Sequence, residues 1–358
     1  MSKPRLIAFY LPQFYPTKEN DAWWQPGFTE WTNVGRAKPL FPGHHQPKVP
    51  ADLGYYDLRV PETREKQVEL AKEAGIEGFC YWHYWFAGKR LLDRVFREVV
   101  ESGKPDFPFC LCWANHSWYK KVWDPTKPDT LLMEQTYPGE QDYIDHFSAM
   151  LPAFKDPRYM KRNGKLIFGV FMSNISDFKL FKDTWNRLAK ENGLDGFWFF
   201  GICRNMELAS KTLSRGFDGV CVDYTQEQNV ILNPISKYFW NIFRKFTGLP
   251  KYMTYNRYTK QFLHHFEAKE NVYPCLGPNF DHSPRSGNRG VILFGSTPMK
   301  WKSFCISVFD KLRFRSHEEN IAFVKSWNEW GEGNYLEPDL QFGKQYIRAT
   351  REALDIVE

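Results

Sequence analysis

Of 358 residues, 18% are aromatic, including 14 Trp, and the formal net charge is +6 at pH 7. So mild a charge, spread along the chain, gives no basic stripe for nucleic acid. No apolar run reaches the length of a membrane span. The seven cysteines (Cys80, Cys110, Cys112, Cys203, Cys221, Cys275 and Cys305) are odd in number and fall mostly within apolar runs. They read as reduced core residues, not as disulfides or metal ligands. Met1-Ser2-Lys3-Pro4-Arg5 leads straight into a strand without a signal-peptide pattern, so the expectation is a cytoplasmic protein.

Short apolar runs alternate with helical patterns from end to end. The runs predict strands at Leu6–Leu11, Gly78–His83, Phe107–Trp113, Leu166–Phe171, Phe197–Ile202, Gly219–Asp223, Val272–Leu276 and Ala322–Trp327. Between them lie apolar stripes at helical spacing. Leu91, Leu92, Val95, Phe96, Val99 and Val100 make one, Tyr143, Ile144, Phe147, Met150, Leu151 and Phe154 another, and Phe178, Phe181, Trp185 and Leu188 a third. Tyr346, Ile347, Thr350, Leu354 and Val357 predict a closing helix. Eight strands each followed by a helix predict an α/β fold, a (β/α)8 TIM barrel, occupying 1–358 as one catalytic domain. A doubly wound open sheet is the rival, but it would rarely carry eight such units without a glycine-rich nucleotide loop. The segments 12–60, 114–141, 224–252 and 277–299 are long and follow strand C-terminal ends, the face on which such barrels build their sites.

The densest chemistry lies at Ser326-Trp327-Asn328-Glu329-Trp330-Gly331-Glu332-Gly333, just past the last strand. Two glutamates three residues apart, flanked by indoles and glycines, suit paired acid/base work on a substrate stacked against aromatic rings. An exposed helix face could carry the same spacing, but not normally with two Trp and two Gly in eight residues. The other strand ends add Tyr10 and Gln13; His83, Tyr84 and Trp85; Trp113, Asn115, His116 and Trp118; Asp223 and Tyr224; and Asp281 and Arg285. Aromatics, amides and carboxylates in one ring are the inventory of a sugar site. Any single one of them is more often core or rim. His44-His45 and His264-His265 read as surface residues, because no carboxylate or Cys completes a metal-ligand spacing. No Walker loop, G-x-G-x-x-G, Asp-x-Asp or G-x-S-x-G element occurs, so neither a cofactor nor a metal is expected.

Tyr10-Leu11-Pro12-Gln13-Phe14, Gly27-Phe28-Thr29-Glu30-Trp31, His45-Gln46-Pro47, the run Gly78 to Phe86, Cys112-Trp113-Ala114-Asn115 and Trp327-Asn328-Glu329-Trp330 together resemble the WbsX-like proteins. That family is labelled as glycosyltransferases of O-antigen and capsule clusters. The chain is also similar to family 99 glycoside hydrolases, the endo-α-1,2-mannosidase and mannanase group of (β/α)8 barrels. The resemblance adds Glu30, Trp31, Asn328 and Trp330 to the substrate-binding set and makes Glu329 and Glu332 the catalytic pair. In those hydrolases one carboxylate takes the proton of the sugar 2-hydroxyl, giving a 1,2-anhydro intermediate. The other is acid for the leaving group and then base for water. The resemblance implies the first role for Glu329 and the second for Glu332. The residues alone support two close acids and leave a direct nucleophile open. Two positions depart from the WbsX-like pattern: His116 stands where Glu is usual, and His282 where Asn is usual. Both departures bear on which sugar is taken.

The leading reading is therefore a retaining hydrolase of an internal bond in an oligosaccharide or polysaccharide. A transferase of surface-polysaccharide assembly is the alternative, and an inactive sugar-binding barrel a third. One segment bears on that choice. As a helix, 235–246 would align Tyr238, Phe239, Ile242, Phe243 and Phe246 beside Lys237, Arg244 and Lys245. Such a stripe packs on the body as a lid or makes a peripheral membrane contact.

Overall fold

The computed structural model describes residues 3–121, 128–225 and 246–357, with Tyr238, Phe239, Ile242 and Phe243. Eight strands form its centre: β1 (Arg5–Tyr10), β2 (Gly78–His83), β3 (Phe109–Trp113), β4 (Lys165–Val170), β5 (Phe197–Cys203), β6 (Gly219–Asp223), β7 (Val272–Leu276) and β8 (Ile321–Val324). Each pairs in parallel with its successor, and β8 pairs back onto β1 through Arg5↔Ile321 to Ala8↔Val324, so the sheet closes on itself. This is the (β/α)8 barrel expected from the alternation.

Each strand is apolar because both its faces are covered. One face fills the barrel, where Phe9 stacks on Trp82 with centroids 4.9 Å apart and on Phe323 at 5.7 Å. The other meets the helices, as where Trp185 of the helix Phe178–Glu191 packs on Phe168 at 4.7 Å. The stripes at Tyr143–Phe154, Phe178–Leu188 and Tyr346–Val357 lie on the helices Glu140–Phe154, Phe178–Glu191 and Gln345–Ile356. The stripe at Leu91–Val100 becomes the shorter helix Arg94–Ser102, with Leu91 and Leu92 buried just ahead of it. All seven cysteines are buried and unpaired. No helix of the described residues is long and apolar enough to cross a membrane.

The last strand ends earlier than the expected Ala322–Trp327. Its ladder stops at Val324, and Lys325 and Trp327 hold to the barrel by single bonds, Lys325 N to Leu276 O at 2.9 Å and Trp327 N to Phe9 O at 2.8 Å. The chain then makes a short hairpin, Asn328–Glu329 against Asn334–Tyr335, around a 3₁₀ turn at Trp330–Glu332. Both glutamates therefore stand on a tight loop over the barrel mouth.

Candidate active site

Glu329 and Glu332 are 6% and 8% exposed and share one cation. Arg285, from the short helix Ser283–Ser286, donates from Nη1 to Glu332 Oε1 at 2.6 Å and reaches Glu329 Oε1 at 3.4 Å. Its Nε donates to Glu30 Oε2 at 3.1 Å. Glu30, on the helix Glu30–Arg36, also accepts from Gln13 Nε2 at 3.1 Å. Behind Glu332, Lys325 Nζ lies 3.9 Å from Oε2 and 3.3 Å from Asp223 Oδ2. His282 Nε2 lies 3.6 Å from Glu332 Oε1, and Ser326 Oγ donates to Glu329 Oε2 at 3.2 Å.

These surroundings treat the two acids differently. Burial, and then the charge of Glu332, push the Glu329 carboxyl above the usual carboxylate range. Burial acts on Glu332 too, but the Arg285 guanidinium, and after it Lys325 and His282, hold its carboxyl below that range. At neutral pH Glu332 is thus an anion, and Glu329 is the member of the pair able to keep a proton. Glu332 Oε2 is buried and has no hydrogen-bond partner among the described residues, with Lys325 Nζ the nearest cation at 3.9 Å.

The turn between them tolerates no side chain at Gly331. A Cβ there would run into the Glu30 carboxylate and come within 2.9 Å of Arg285 Nε. Gly331→Ala is expected to displace Glu30 and Arg285 and so lower turnover by ~10²-fold, the scale of a small misplacement of catalytic groups. A melting curve beside the rate separates this from general unfolding; an unchanged rate in a folded variant would show that the packing of Glu30 on the turn is immaterial.

A cavity of about 760 Å³ opens over the pair. Of the residues expected from sequence, Gln13, Glu30, Tyr84, His116, Trp118, Arg285, Glu329 and Glu332 line it. The rest do not, and each has another partner. Tyr10 turns outward to Gln67, its hydroxyl donating at 2.7 Å. His83 faces His146 across 2.7 Å, and burial lowers it to about 3, so it is a neutral core ring. Trp85 stacks on His146 at 4.6 Å and donates to Asp142 Oδ1 at 3.0 Å. Trp113 is fully buried and donates to Trp85 O at 3.1 Å. Asn115 clamps Met172, accepting from its N at 2.7 Å and donating to its O at 3.0 Å. Tyr224 packs on Phe262 at 5.2 Å, and Trp31 donates to Tyr56 O at 2.7 Å. Asn328 ties the hairpin to Leu11, accepting from its N at 2.7 Å. Asp223 acts through Lys325.

Trp330 is fully buried, stacked on Tyr335 at 3.8 Å. Its indole donates to Glu337 Oε2 at 2.6 Å, and Tyr56 and Gln67 donate to the same carboxylate at 2.9 and 2.6 Å. Trp330 therefore anchors the loop that carries both acids instead of touching the cleft. Asp281 is likewise held, by His44 at 2.7 Å and Gln46 at 2.6 Å. That contact corrects the expectation that His44 is a surface residue: it is buried and stitches the loop after β1 to the loop carrying Arg285. His45 and His264 are exposed, as expected, and His265 is half-buried at the C-terminal end of its helix.

Sequence reasoning missed Lys325, although a lysine directly after four apolar strand residues is a signal in itself. It also missed Trp23, Trp24, Phe28 and Tyr119, which line the cavity from two of the long loops. Among the described residues no group of three or more His, Cys, Asp or Glu is placed to hold a metal ion.

A family model described as Glycosyltransferase WbsX matches residues 6–350. The chain is 32% identical over 362 residues to an uncharacterized protein WxcX of Xanthomonas campestris pv. campestris, covering 98% of this chain and 49% of that protein. It thus spans about half the length of this curated relative. Among solved structures, a glycoside hydrolase-like protein matches with a TM-score of 0.62 at 14% identity, over 99% of this chain and 94% of that one. The GH99 endo-α-mannosidase of Bacteroides thetaiotaomicron matches with a TM-score of 0.56 at 14% identity, over 100% and 98%. At that identity the structural matches speak for the barrel alone.

Proposed function

The chain belongs to the WbsX glycosyltransferase family, and from its site we propose that it cleaves an internal glycosidic bond of an oligosaccharide or polysaccharide, with retention. The observation that carries this reading is the Glu329–Glu332 pair, two buried carboxyls on a shared arginine beside a cleft, whose surroundings push Glu329 above the usual carboxylate range and hold Glu332 below it. Separated proton affinities in two facing carboxyls are the usual mark of an acid and its partner. Since one nitrogen of Arg285 lies within 2.6 and 3.4 Å of them, the carboxyls stand closer than the ~6.5–9.5 Å of inverting pairs.

In the proposed reaction Glu329 gives its proton to the glycosidic oxygen as the C1–O bond breaks. Glu332 takes the proton of the sugar 2-hydroxyl, whose oxygen closes on C1 to give a 1,2-anhydro sugar. Water then opens that ring at C1, losing a proton to Glu329 while Glu332 returns one to O2. The resemblance to family 99 hydrolases implies the reverse order of roles; the resting electrostatics favour Glu329 as the acid and Glu332 as the base. One structural relative is an endo-α-mannosidase, which makes α-linked mannan the first substrate to try.

The test is a screen of oligosaccharides and nucleotide sugars with product analysis. New reducing ends without any nucleotide support hydrolysis. Transfer seen only with a nucleotide sugar would overturn it.

One observation favours the transferase alternative, in which the same pair passes a glycosyl group to another sugar on a cytoplasmic membrane face. Most of 235–246 lies outside the described residues, but Tyr238, Phe239, Ile242, Phe243 and Phe246 are 64%, 64%, 37%, 48% and 85% exposed. That is not the burial a packed lid gives. With Lys237, Arg244 and Lys245 beside them in sequence, they suit an anionic lipid surface. Co-flotation with anionic liposomes, lost in Phe239→Ser/Phe243→Ser, is the expected result of membrane contact. Absence of flotation at low salt would remove the argument for a lipid-linked acceptor.

A further inference from the structure

Two of the long loops bordering the cleft present large aromatic rings to solvent. Trp24, at the C-terminal end of the helix Lys18–Trp23, is 42% exposed, and Tyr119, on the hairpin Trp118–Lys120 with Thr130–Met133, is 47% exposed. Both line the same cavity as Glu329 and Glu332. These two partly exposed rings, an indole and a phenol, border the cleft that holds the acid pair.

The rings are held in place. Lys120 Nζ donates to Trp23 O at 3.0 Å and lies 5.3 Å from the Trp24 ring centroid, joining the two loops. Phe28 stacks on Trp24 at 5.6 Å and 26°. Thr17 caps the helix by accepting from Asn20 N at 3.1 Å, and Asp21 Oδ1 accepts from Gly27 N at 2.8 Å, which closes the loop around the two tryptophans. Trp24 is thus packed against Lys120 and Phe28 on a closed loop.

The rings also connect to the chemistry. Tyr84 lines the cavity and feels the charge of Glu329. Trp118 meets Tyr84 edge-on at 5.1 Å, and Trp23 meets Trp118 at 5.8 Å. An aromatic ladder thus runs from the acid pair outward through Tyr84, Trp118 and Trp23, and the exposed Trp24 and Tyr119 are the chain neighbours of its last two rings. Trp118 is covered by Tyr84, Phe86 and Trp23, whereas Trp24 and Tyr119 keep close to half of their surface exposed.

We infer that Trp24 and Tyr119 form an outer binding site for a neutral hexose unit of the glycan chain, at a distance from the bond that is cleaved. The occupant is a pyranose because its apolar C–H face covers an indole or phenol ring while its hydroxyls stay in water, and because the platform is continuous with the proposed hydrolytic cleft. The inference rests on the hydrolase reading of that cleft. It adds that the enzyme takes chains of several units and gains affinity from units that never touch the acids.

The experiment uses the full chain carrying Glu329→Gln, so that bound sugar is not turned over, with α-1,2-mannobiose and α-1,2-mannotetraose as probes in isothermal calorimetry. Added Trp24→Ala, and separately Tyr119→Ala, are expected to weaken the tetraose roughly tenfold and leave the biose unchanged. Trp24→Phe is expected to restore most of the loss. Because both side chains are exposed, melting temperatures should not move. Equal binding of the tetraose with and without Trp24, or equal loss for both lengths, would overturn the outer site. Failure of both sugars to bind while Trp24 and Tyr119 are intact would instead overturn the α-mannan reading of the cleft, and the outer site with it.

Discussion

Glu329→Gln and Glu332→Gln should each reduce turnover by ~10²–10⁴-fold, the range for removing one acid or base role, while the protein still folds. The amide keeps the shape of the acid and, at position 332, still offers an oxygen to Arg285, but it cannot exchange a proton. The two variants should part company on an activated aryl glycoside of the same sugar. A leaving group that needs no proton should rescue the variant that lacks the acid, and the electrostatics make that Glu329→Gln. Rescue of Glu332→Gln alone would give the roles back to the order that the family 99 resemblance implies. Near-normal rates in both variants would remove the pair from the chemistry altogether.

The second large effect is on stability. Trp330→Ala should cost ~3–5 kcal/mol, as expected for deleting a fully buried aromatic. It removes an indole stacked on Tyr335 and takes one donor from the Glu337 carboxylate, itself buried. That carboxyl is pushed up to about 7 by burial even with Trp330, Gln67 and Tyr56 donating to it. Trp113→Ala should behave similarly, since its ring packs among Trp85, His146 and Phe181. Trp118→Ala, half-buried in the cleft, should leave melting nearly unchanged and weaken sugar binding instead. Denaturant melts of the three variants check this. Equal, small losses for all three would mean that the hairpin does not depend on its indole.

The contrast between these tryptophans shows what sequence could and could not reveal. The barrel was legible because a parallel strand buried on both faces must be a continuous apolar run, and eight such runs alternate with helical stripes. The acid pair was legible because two glutamates, two tryptophans and two glycines in eight residues have no ordinary surface explanation. Which strand-end residues face the cleft was harder, and the reason is parity. Successive side chains point to opposite sides of a strand. On β2, Trp82 and Tyr84 line the cavity, while His83 and Trp85 meet His146 and Asp142 of a helix behind. Beyond β3, Ala114 and His116 face in while Trp113 and Asn115 do not; beyond β1, Leu11 and Gln13 face in while Tyr10 turns to Gln67. Taking whole strand ends as site residues therefore gathered both faces.

Other features were invisible for a different reason. The His44–Asp281 contact and the Tyr56–Glu337 bond join residues 237 and 281 positions apart, and no local pattern marks such partners. The end of β8 was misjudged by the same blindness. The expected strand ran on through Lys325-Ser326-Trp327, but Lys325 is drawn to Asp223 and Glu332 across the barrel mouth, and the ladder stops before it.

The central claim is that one arginine and the surrounding burial split two neighbouring glutamates into a proton holder and an anion. A carboxyl titration by NMR on protein labelled with carbon-13 at the glutamate side-chain carboxyl, assigned with Glu329→Gln and Glu332→Gln, tests this without any substrate. The expected result is that Glu329 titrates above the ordinary glutamate value of ~4.3 and Glu332 below it. Arg285→Met should bring the two together by letting Glu332 rise. Both carboxyls titrating near the ordinary value, or Glu332 holding its proton longer than Glu329, would contradict the account.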